Sequence, residues 1–368
     1  MNILRLSLYA PTTTNFSEGI GGAQEHIYQV SKIWAKKKHN VKIISTYRDY
    51  RIPRKEVIDG FEIERVGNFS FAIYYIKKAY KKYEGWADIV VESYTSYPLF
   101  TPLYVKKPRV VVVHSGLLGK KYLEVVNPIK GIFGYIGEKF LFKIYRNEKI
   151  ILTSRRNENI LRDRGISNLK IIYSGVDTSF FTPGEKYDKP IILFVGSFVN
   201  KNKRIEDLIM AFNIINKHIK NIKLIIVGYG GKRSNIVINA CKKNKNIKYL
   251  GYIRDKKLLR RLYQKAWVFV LPSIQEQFPL SILEANACGT PAIVYKLNNV
   301  DIIQEDINCI TVNKMDIKEL ADKIIQVVED DKLRKKLSKS SRKFSENFSW
   351  EITAEKYLNM FNELIKSR

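Results

Sequence analysis

Two carboxylates, Glu276 and Glu284, stand one motif apart in LPSIQEQFPLSILEANACGTP, residues 271–291. The apolar run VFVL (268–271) reads as a short buried strand that feeds a polar loop carrying Glu276. Pro279 suits the first turn of a helix, where a missing N–H is not needed. The helix SILEANAC then stops at Gly289, the residue that most readily takes a left-handed conformation. Both glutamates therefore fall between the carboxyl end of a strand and the amino end of a helix. Open α/β sheets bind ligands there, and unpaired helix N–H groups meet anions there. A carboxylate accepts several hydrogen bonds and can grip the vicinal diols of a ribose or a hexose. The combination suits a ligand that is part polyol and part phosphate, such as a nucleotide sugar. A solvated loop glutamate and a helical glutamate aiding the dipole would leave the same two residues.

A phosphate needs positive charge and close backbone, and the chain offers both elsewhere. The strand PIILFV ends at Gly196-Ser197, and Lys201, Lys203 and Arg204 follow just before or at a helix start. Such a cluster can pair with a diphosphate, although on a lysine-rich chain it can equally be solvated surface. GYGG, from Gly228, is a second glycine loop ahead of a helix. Near the amino end, Gly21 and Gly22 precede the helix AQEHIYQVSKIWAKKKH. Their loop is not the G-x-G-x-x-G fingerprint, which counts against a dinucleotide oxidoreductase. His114 closes the strand VVVV, where a polar side chain can face a ligand or simply satisfy the strand end.

These residues need a scaffold of alternating strands and helices. Strands are expected at 2–9, 41–46, 88–92, 109–113, 149–153 and 170–173, with helices near 22–38, 72–84, 121–146 and 155–164. The stretch TPGEKYDKP (182–190) reads as a linker. Beyond it the alternation restarts with PIILFVG, KLIIVG, IKYLG, VFVL, PAIVY and CITV, separated by helices, and two helices near 331–346 and 350–366 finish the chain. The pattern predicts two doubly wound α/β domains, 1–183 and 184–349.

Composition narrows the partners. Residues 301–368 hold 13 basic and 13 acidic side chains, so the net charge of +28 belongs to residues 1–300; residues 201–265 alone hold 18 basic against 3 acidic. Such a field attracts phosphorylated substrates, anionic lipid or nucleic acid. With no arginine-rich tail and no RNA-binding signature, nucleic acid is the weakest of the three. The segment 68–86, NFSFAIYYIKKAYKKYEGW, mixes aromatics with lysines and can lie on an anionic membrane or against a core. GIFGYIGEKFLFKIY (131–145) invites the same two readings. Cys241, Cys288 and Cys309 suggest neither a disulfide framework nor a zinc site, and no metal ligand set appears among four scattered histidines. The opening MNILRLSLYAP reads as a buried strand, and no apolar run reaches the length of a membrane span. The expectation is a cytoplasmic protein, with peripheral contact at the inner face of a membrane.

Taken in order, GGAQEH, VVVH (111–114), SGVD (174–177), FVG with NKNK, GYGG, LGYI, the Glu-x7-Glu element with its flanking PS and ACGTP, and FSWEITAEKYL resemble glycosyltransferase family 4 over nearly the whole chain. The resemblance implies retaining enzymes of the GT-B fold: two Rossmann-like domains facing across a cleft, with a last helix, 350–368, returning to the first. It implies that Glu276 contacts the donor sugar and Glu284 the ribose. Lys203 would neutralise the diphosphate, Gly22 would lie against the phosphates or acceptor, and His114 would approach the sugar. Phe278, Pro279 and Leu280 would offer backbone N–H groups. Three positions depart from the pattern. Ser197 stands where arginine is usual, and Gln277 and Asn299 stand where glycines are usual. Either Lys201 or Arg204 supplies the missing charge or catalysis is weakened, and the lost glycines reduce backbone freedom in the loops.

The implied reaction moves a hexose from a UDP-, GDP- or ADP-sugar to an acceptor hydroxyl, sugar or lipid-linked, with retention and without a metal or other cofactor. A degenerate GT-B protein acting as a scaffold in glycan assembly is the rival of another class. A sugar 2-epimerase is a further enzymatic alternative.

Overall fold

The computed structural model describes residues 1–12, 21–47, 51–95, 97–114, 117, 140 and 142–367. The chain divides into two compact units: residues up to Ser174 with the terminal helix from Trp350, and Gly175–Ser349.

The first unit is built on an eight-stranded sheet in the order β3-β4-β2-β1-β5-β6-β7-β8. Its strands are β1 (Asn2–Ser7), β2 (Asn40–Ser45), β3 (Lys55–Ile58), β4 (Phe61–Arg65), β5 (Ile89–Tyr94), β6 (Arg109–Val113), β7 (Ile150–Leu152) and β8 (Leu169–Ile171). All pairings are parallel except β3 with β4. That antiparallel hairpin was not expected from the apolar runs, because KEVI and FEIER alternate polar and apolar residues at a sheet edge. Its turn does carry a signal: Asp59 (φ +44°) and Gly60 (φ +87°) form the Asp-Gly corner that two-residue hairpins favour. Helix α1 (Gly22–Lys36) packs His26, Ile27, Val30, Ile33 and Trp34 inward, and α2 (Ala72–Tyr80) does the same with Ala72, Ile76, Ala79 and Tyr80. Helix α3 (Glu158–Arg162) is a single short turn. The expected helix at 121–146 lies largely outside the described residues, as does most of the 131–145 segment.

The second unit carries β9 (Ile191–Val195), β10 (Lys223–Val227), β11 (Ile247–Tyr249), β12 (Val268–Leu271), β13 (Ala292–Tyr295) and β14 (Cys309–Val312). They form one parallel sheet in the order β11-β10-β9-β12-β13-β14. Renumbered within the unit this is 3-2-1-4-5-6, the dinucleotide-fold order. Helices α4 (Ile205–His218), α5 (Ser234–Lys243), α6 (Lys256–Lys265), α7 (Leu280–Ala287), α8 (Ile317–Glu329) and α9 (Asp331–Ser345) connect and cover the strands. Leu193, Phe194, Phe212, Ile226, Phe269 and Ile293 are among its buried core.

The boundary differs from the one expected. Residues 182–190 are not a free linker but a strap on the second unit. Thr182 and Tyr187 carbonyls accept from Gln264 and the Trp267 indole, and the Lys186 ammonium donates to the Thr290 hydroxyl at 2.5 Å. Just upstream, Arg342 donates to the Thr178 and Phe181 carbonyls. The terminal helix α10 (Trp350–Lys366) belongs to the first unit, as the family pattern implied. There the Trp34 indole donates to the Ala354 carbonyl at 3.2 Å, and the Thr353 hydroxyl to Tyr173 at 2.9 Å.

Gly228 has φ +140°, and a Cβ built there would lie 1.9 Å from the Gly196 carbonyl oxygen. Its freedom therefore serves the close approach of two strand ends. Gly228→Ala is expected to lower stability by more than about 3 kcal/mol, read as an earlier urea midpoint. Gly85→Ala, with open space around it, should change stability by less than about 0.5 kcal/mol in the same measurement.

Candidate active site

The chain leaves β9 toward β10 and leaves β12 toward β13, in opposite directions across the sheet. A crevice opens where strand order reverses, and open α/β sheets bind ligands there. The loops after β9 and β12 flank it. They are laced together: the Ile274 N–H donates to the Asn202 carbonyl at 2.9 Å, and the Asn202 amide to the Gln275 carbonyl at 3.4 Å. A 3-10 turn, Lys201–Lys203, occupies the β9 loop.

Lys203 and Glu276 meet across these loops. The lysine Nζ lies 2.5 Å from Glu276 Oε1, with the two side chains only 20% and 11% exposed. The cation expected to face a diphosphate and the carboxylate expected to face sugar hydroxyls thus occupy one spot. Glu284, on α7, accepts a hydrogen bond at 2.8 Å from Tyr263, a fully buried residue on α6 that the sequence reading passed over. Burial, then the neighbouring carboxylate, pushes the Tyr263 phenol well above its ordinary range. It therefore stays a donor.

The other basic candidates diverge. Lys201 is exposed. Arg204, at φ +49° ahead of α4, is bidentate on the buried Asp207, at 2.9 and 2.7 Å, and Tyr295 donates to the same carboxylate at 2.8 Å. That arrangement anchors the start of α4, so the expectation that Arg204 replaces a missing phosphate-facing arginine gains nothing from its geometry. Ser197 is exposed, and its hydroxyl donates to the Tyr229 carbonyl at 3.3 Å. Gly196 donates its N–H to Val227 at 3.0 Å, inside the strand-end packing that Gly228 permits.

Pro279 caps α7 from the position before the helix rather than from its first turn. As a proline it has no N–H, so Phe278 and Leu280 alone of the three expected residues can donate from the backbone. The Phe278 ring packs near Phe348, with centroids 6.2 Å apart. Gly289 ends the helix at φ +67°.

Two departures from the family pattern occupy backbone that their residue types can adopt. Asn299 takes φ +59°, the left-handed region that asparagine tolerates best after glycine. Gln277 is not among the positive-φ residues, so its backbone does not require glycine.

In the first unit, His114 follows β6 and donates its backbone N–H to the Tyr94 carbonyl at 2.9 Å. Its Nε2 is buried, with no hydrogen-bond partner among the described residues. Behind it lies His26, whose ring stands edge-on at 4.8 Å. The two His26 nitrogens lie 2.8 Å from the Ser174 hydroxyl and 3.1 Å from the Tyr357 hydroxyl. Arg5, buried beneath, stacks over Trp34 at 4.8 Å. Burial, and then the Arg5 charge, pushes the His114 imidazole down to about 3. Burial holds His26 well below its ordinary value, with His114 and Arg5 adding to the effect. Gly22 is the exposed first residue of α1, and the Gln24 side chain accepts from the N-cap Gly21 N–H at 3.2 Å.

Comparison with known proteins fits this geometry. The family model "Glycosyltransferase Family 4" matches residues 20–180, and "Glycosyl transferases group 1" matches 176–344. The chain belongs to glycosyltransferase family 4. An uncharacterized glycosyltransferase of Methanocaldococcus jannaschii is 24% identical over 368 residues, 99% of each chain. Among solved structures, sucrose-phosphate synthase from Thermosynechococcus elongatus superimposes with a TM-score of 0.81 at 21% identity over 100% of both chains. The Anabaena protein HepE, in complex with UDP-glucose, gives 0.72 at 15% identity, again over 100% of both. These likenesses establish the GT-B fold.

Two predictions follow from the geometry. Tyr263→Phe removes a hydrogen-bond donor to Glu284 and should raise KM for the sugar donor about tenfold while kcat changes less than about threefold. The two imidazoles are held neutral in the fold, so the unfolded chain binds more protons below the ordinary histidine value of 6.5. Stability should therefore be full above that value and fall as pH drops from it toward 3. Thermal unfolding across that range should show the loss, and His114→Gln should flatten it.

Proposed function

We propose that this glycosyltransferase moves a hexose from a nucleoside diphosphate sugar to a hydroxyl of a glycan or lipid-linked acceptor, with retention at the anomeric carbon and without a metal. The observation that carries the reading is the contact of Lys203 with Glu276 at the switch point. A diphosphate and the sugar it bears are adjacent groups, so a cation and a carboxylate side by side match that junction.

As the glycosidic bond to the diphosphate breaks, negative charge grows on the leaving oxygen. Groups aimed at that charge stabilise the transition state more than the bound donor. Lys203 and the N–H groups at the start of α7 supply them. Glu276 accepts hydrogen bonds from sugar hydroxyls. Glu284, held by Tyr263, accepts from the ribose; His114, neutral, carries a buried ring nitrogen at the carboxyl end of β6 in the first unit. Among the described residues no side chain stands as a positioned nucleophile, which favours attack from the same face as departure, with the diphosphate taking the acceptor proton. Two-carboxylate hydrolysis needs an acid and a base flanking one bond; Glu276 on the loop after β12 and Glu284 on α7, which follows it, come from one strand–helix connection of one unit. The UDP-glucose bound by HepE supports a uridine diphosphate donor as the first to try.

Glu276→Gln tests this. It keeps shape but loses the charge that faces Lys203 and the hydroxyls. Transfer should fall by about 100-fold or more, while nucleotide binding by calorimetry stays measurable. Turnover at the parent rate refutes the assignment. Donor binding without product from the parent chain, over long incubation with lipid-phosphate and oligosaccharide acceptors, would support the scaffold reading instead.

A further inference from the structure

The sequence allowed the aromatics of residues 68–86 to face a core. Many do not. Phe69, Phe71, Ile73 and Tyr74 are 41%, 63%, 41% and 61% exposed, and Tyr97, in the loop after β5, is 60% exposed. Three rings touch: Tyr9 stacks on Phe69 with centroids 5.9 Å apart, and Phe69 meets Tyr97 edge-on at 5.8 Å, while Phe71, Ile73 and Tyr74 follow Phe69 directly in the chain. Buried apolar residues of the same helix, Ile76, Ala79 and Tyr80, already anchor it to the core. The exposed rings are therefore additional to what folding needs. Exposed apolar groups gathered in one patch mark a contact surface more often than single ones do.

Place and charge identify the contact. Tyr9, Phe69 and Tyr97 follow β1, β4 and β5, three strands that run parallel, so all three loops emerge at the carboxyl edge of the first sheet. His114 and the amino end of α1 emerge at that same edge. Along α2, Ile73 and Tyr74 are followed one turn later by Lys77 and Lys78, and then by Lys81, all exposed. Lys82, also exposed, lies 3.7 Å from Glu64. Apolar rings at one end and ammonium groups at the other match the two layers of an anionic bilayer surface, acyl boundary and headgroups. Among the described residues no helix is long and apolar enough to cross a membrane, so contact here is peripheral.

We propose that this aromatic–lysine patch docks the first unit on an anionic bilayer, and that the acceptor reaches His114 as a lipid-linked molecule held in that bilayer. The acceptor half of this statement rests on the glycosyltransferase reading of His114; the docking half does not.

The test is co-sedimentation of the full chain with vesicles of phosphatidylcholine alone or with phosphatidylglycerol added. Binding should be about tenfold stronger to the anionic vesicles. It should fall about tenfold in the double variant Phe71→Ser, Tyr74→Ser, and similarly in Lys77→Glu, Lys78→Glu, whereas Lys242→Glu, Lys243→Glu on α5 should leave it unchanged. Unaltered binding in the aromatic variant, or equal loss in the α5 variant, would show only attraction by the net charge and overturn the proposal. So would absence of vesicle binding by the parent. Calorimetry with UDP on the same variants keeps the two readings apart. Nucleotide affinity should not change when the patch is altered, and its absence from every variant would count against the donor site, not the docking surface.

Discussion

A lysine and a glutamate in contact, mostly shielded from water, are an uneasy pair. Removing either charge from solvent is costly, and mutual attraction offsets that cost only when geometry is good and the remaining valences are satisfied. Lys203 and Glu276 hold each other at 2.5 Å because two loops from adjacent strands are fastened through Asn202, Ile274 and Gln275. Those loops are adjacent because β9 and β12 are neighbours whose continuations part. The close approach of Gly196 and Gly228 fixes the other side of the β9 loop. The strand order of the second unit thus dictates the meeting of the charges. A ligand with anionic oxygens beside hydroxyls can replace each partner with a better one.

The first unit meets its polar burden differently. Arg5, His26, His114, Ser174 and Tyr357 come from β1, α1, the end of β6, the end of the first segment and the terminal helix. His26 has hydroxyl partners at both nitrogens, and burial beside Arg5 keeps both imidazoles neutral. Two hydroxyl partners restrict ring rotation, so His26 presents a fixed edge to His114. The terminal helix is therefore more than a cover: Tyr357 and Trp350 complete the wall behind the strand-end histidine.

The sheets were legible because buried parallel strands read as unbroken apolar runs, and VVVV, IILFV and VFVL lie within a residue of where the runs place them. Glu276, Glu284 and Lys203 were legible because loops after such strands face the crevice. Tyr263 was not, because a tyrosine on an amphipathic helix carries no sign that its hydroxyl will find a carboxylate on another helix. His26 was hidden for the same reason: its partners lie 148 and 331 residues away. The division between units was misread at 182–190, where proline, glycine and charge imitate a linker while the backbone carbonyls are bound by Gln264 and Trp267. Arg204 shows the limit of charge counting. Nothing in KNKR distinguishes the lysine that meets Glu276 from the arginine that folds back onto Asp207.

The departures from the family pattern now divide by physical kind. A glycine can be needed for its backbone or for its lack of a side chain. Asn299 keeps the left-handed backbone, and Gln277 sits where the backbone makes no such demand. What each adds at its place is a polar side chain. Ser197 differs in kind, since it subtracts a positive charge, and Arg204 is already engaged by Asp207. The positive charge of this crevice thus rests more heavily on Lys203 than the family pattern provides for. That concentrates the electrostatics on the one lysine already placed against Glu276.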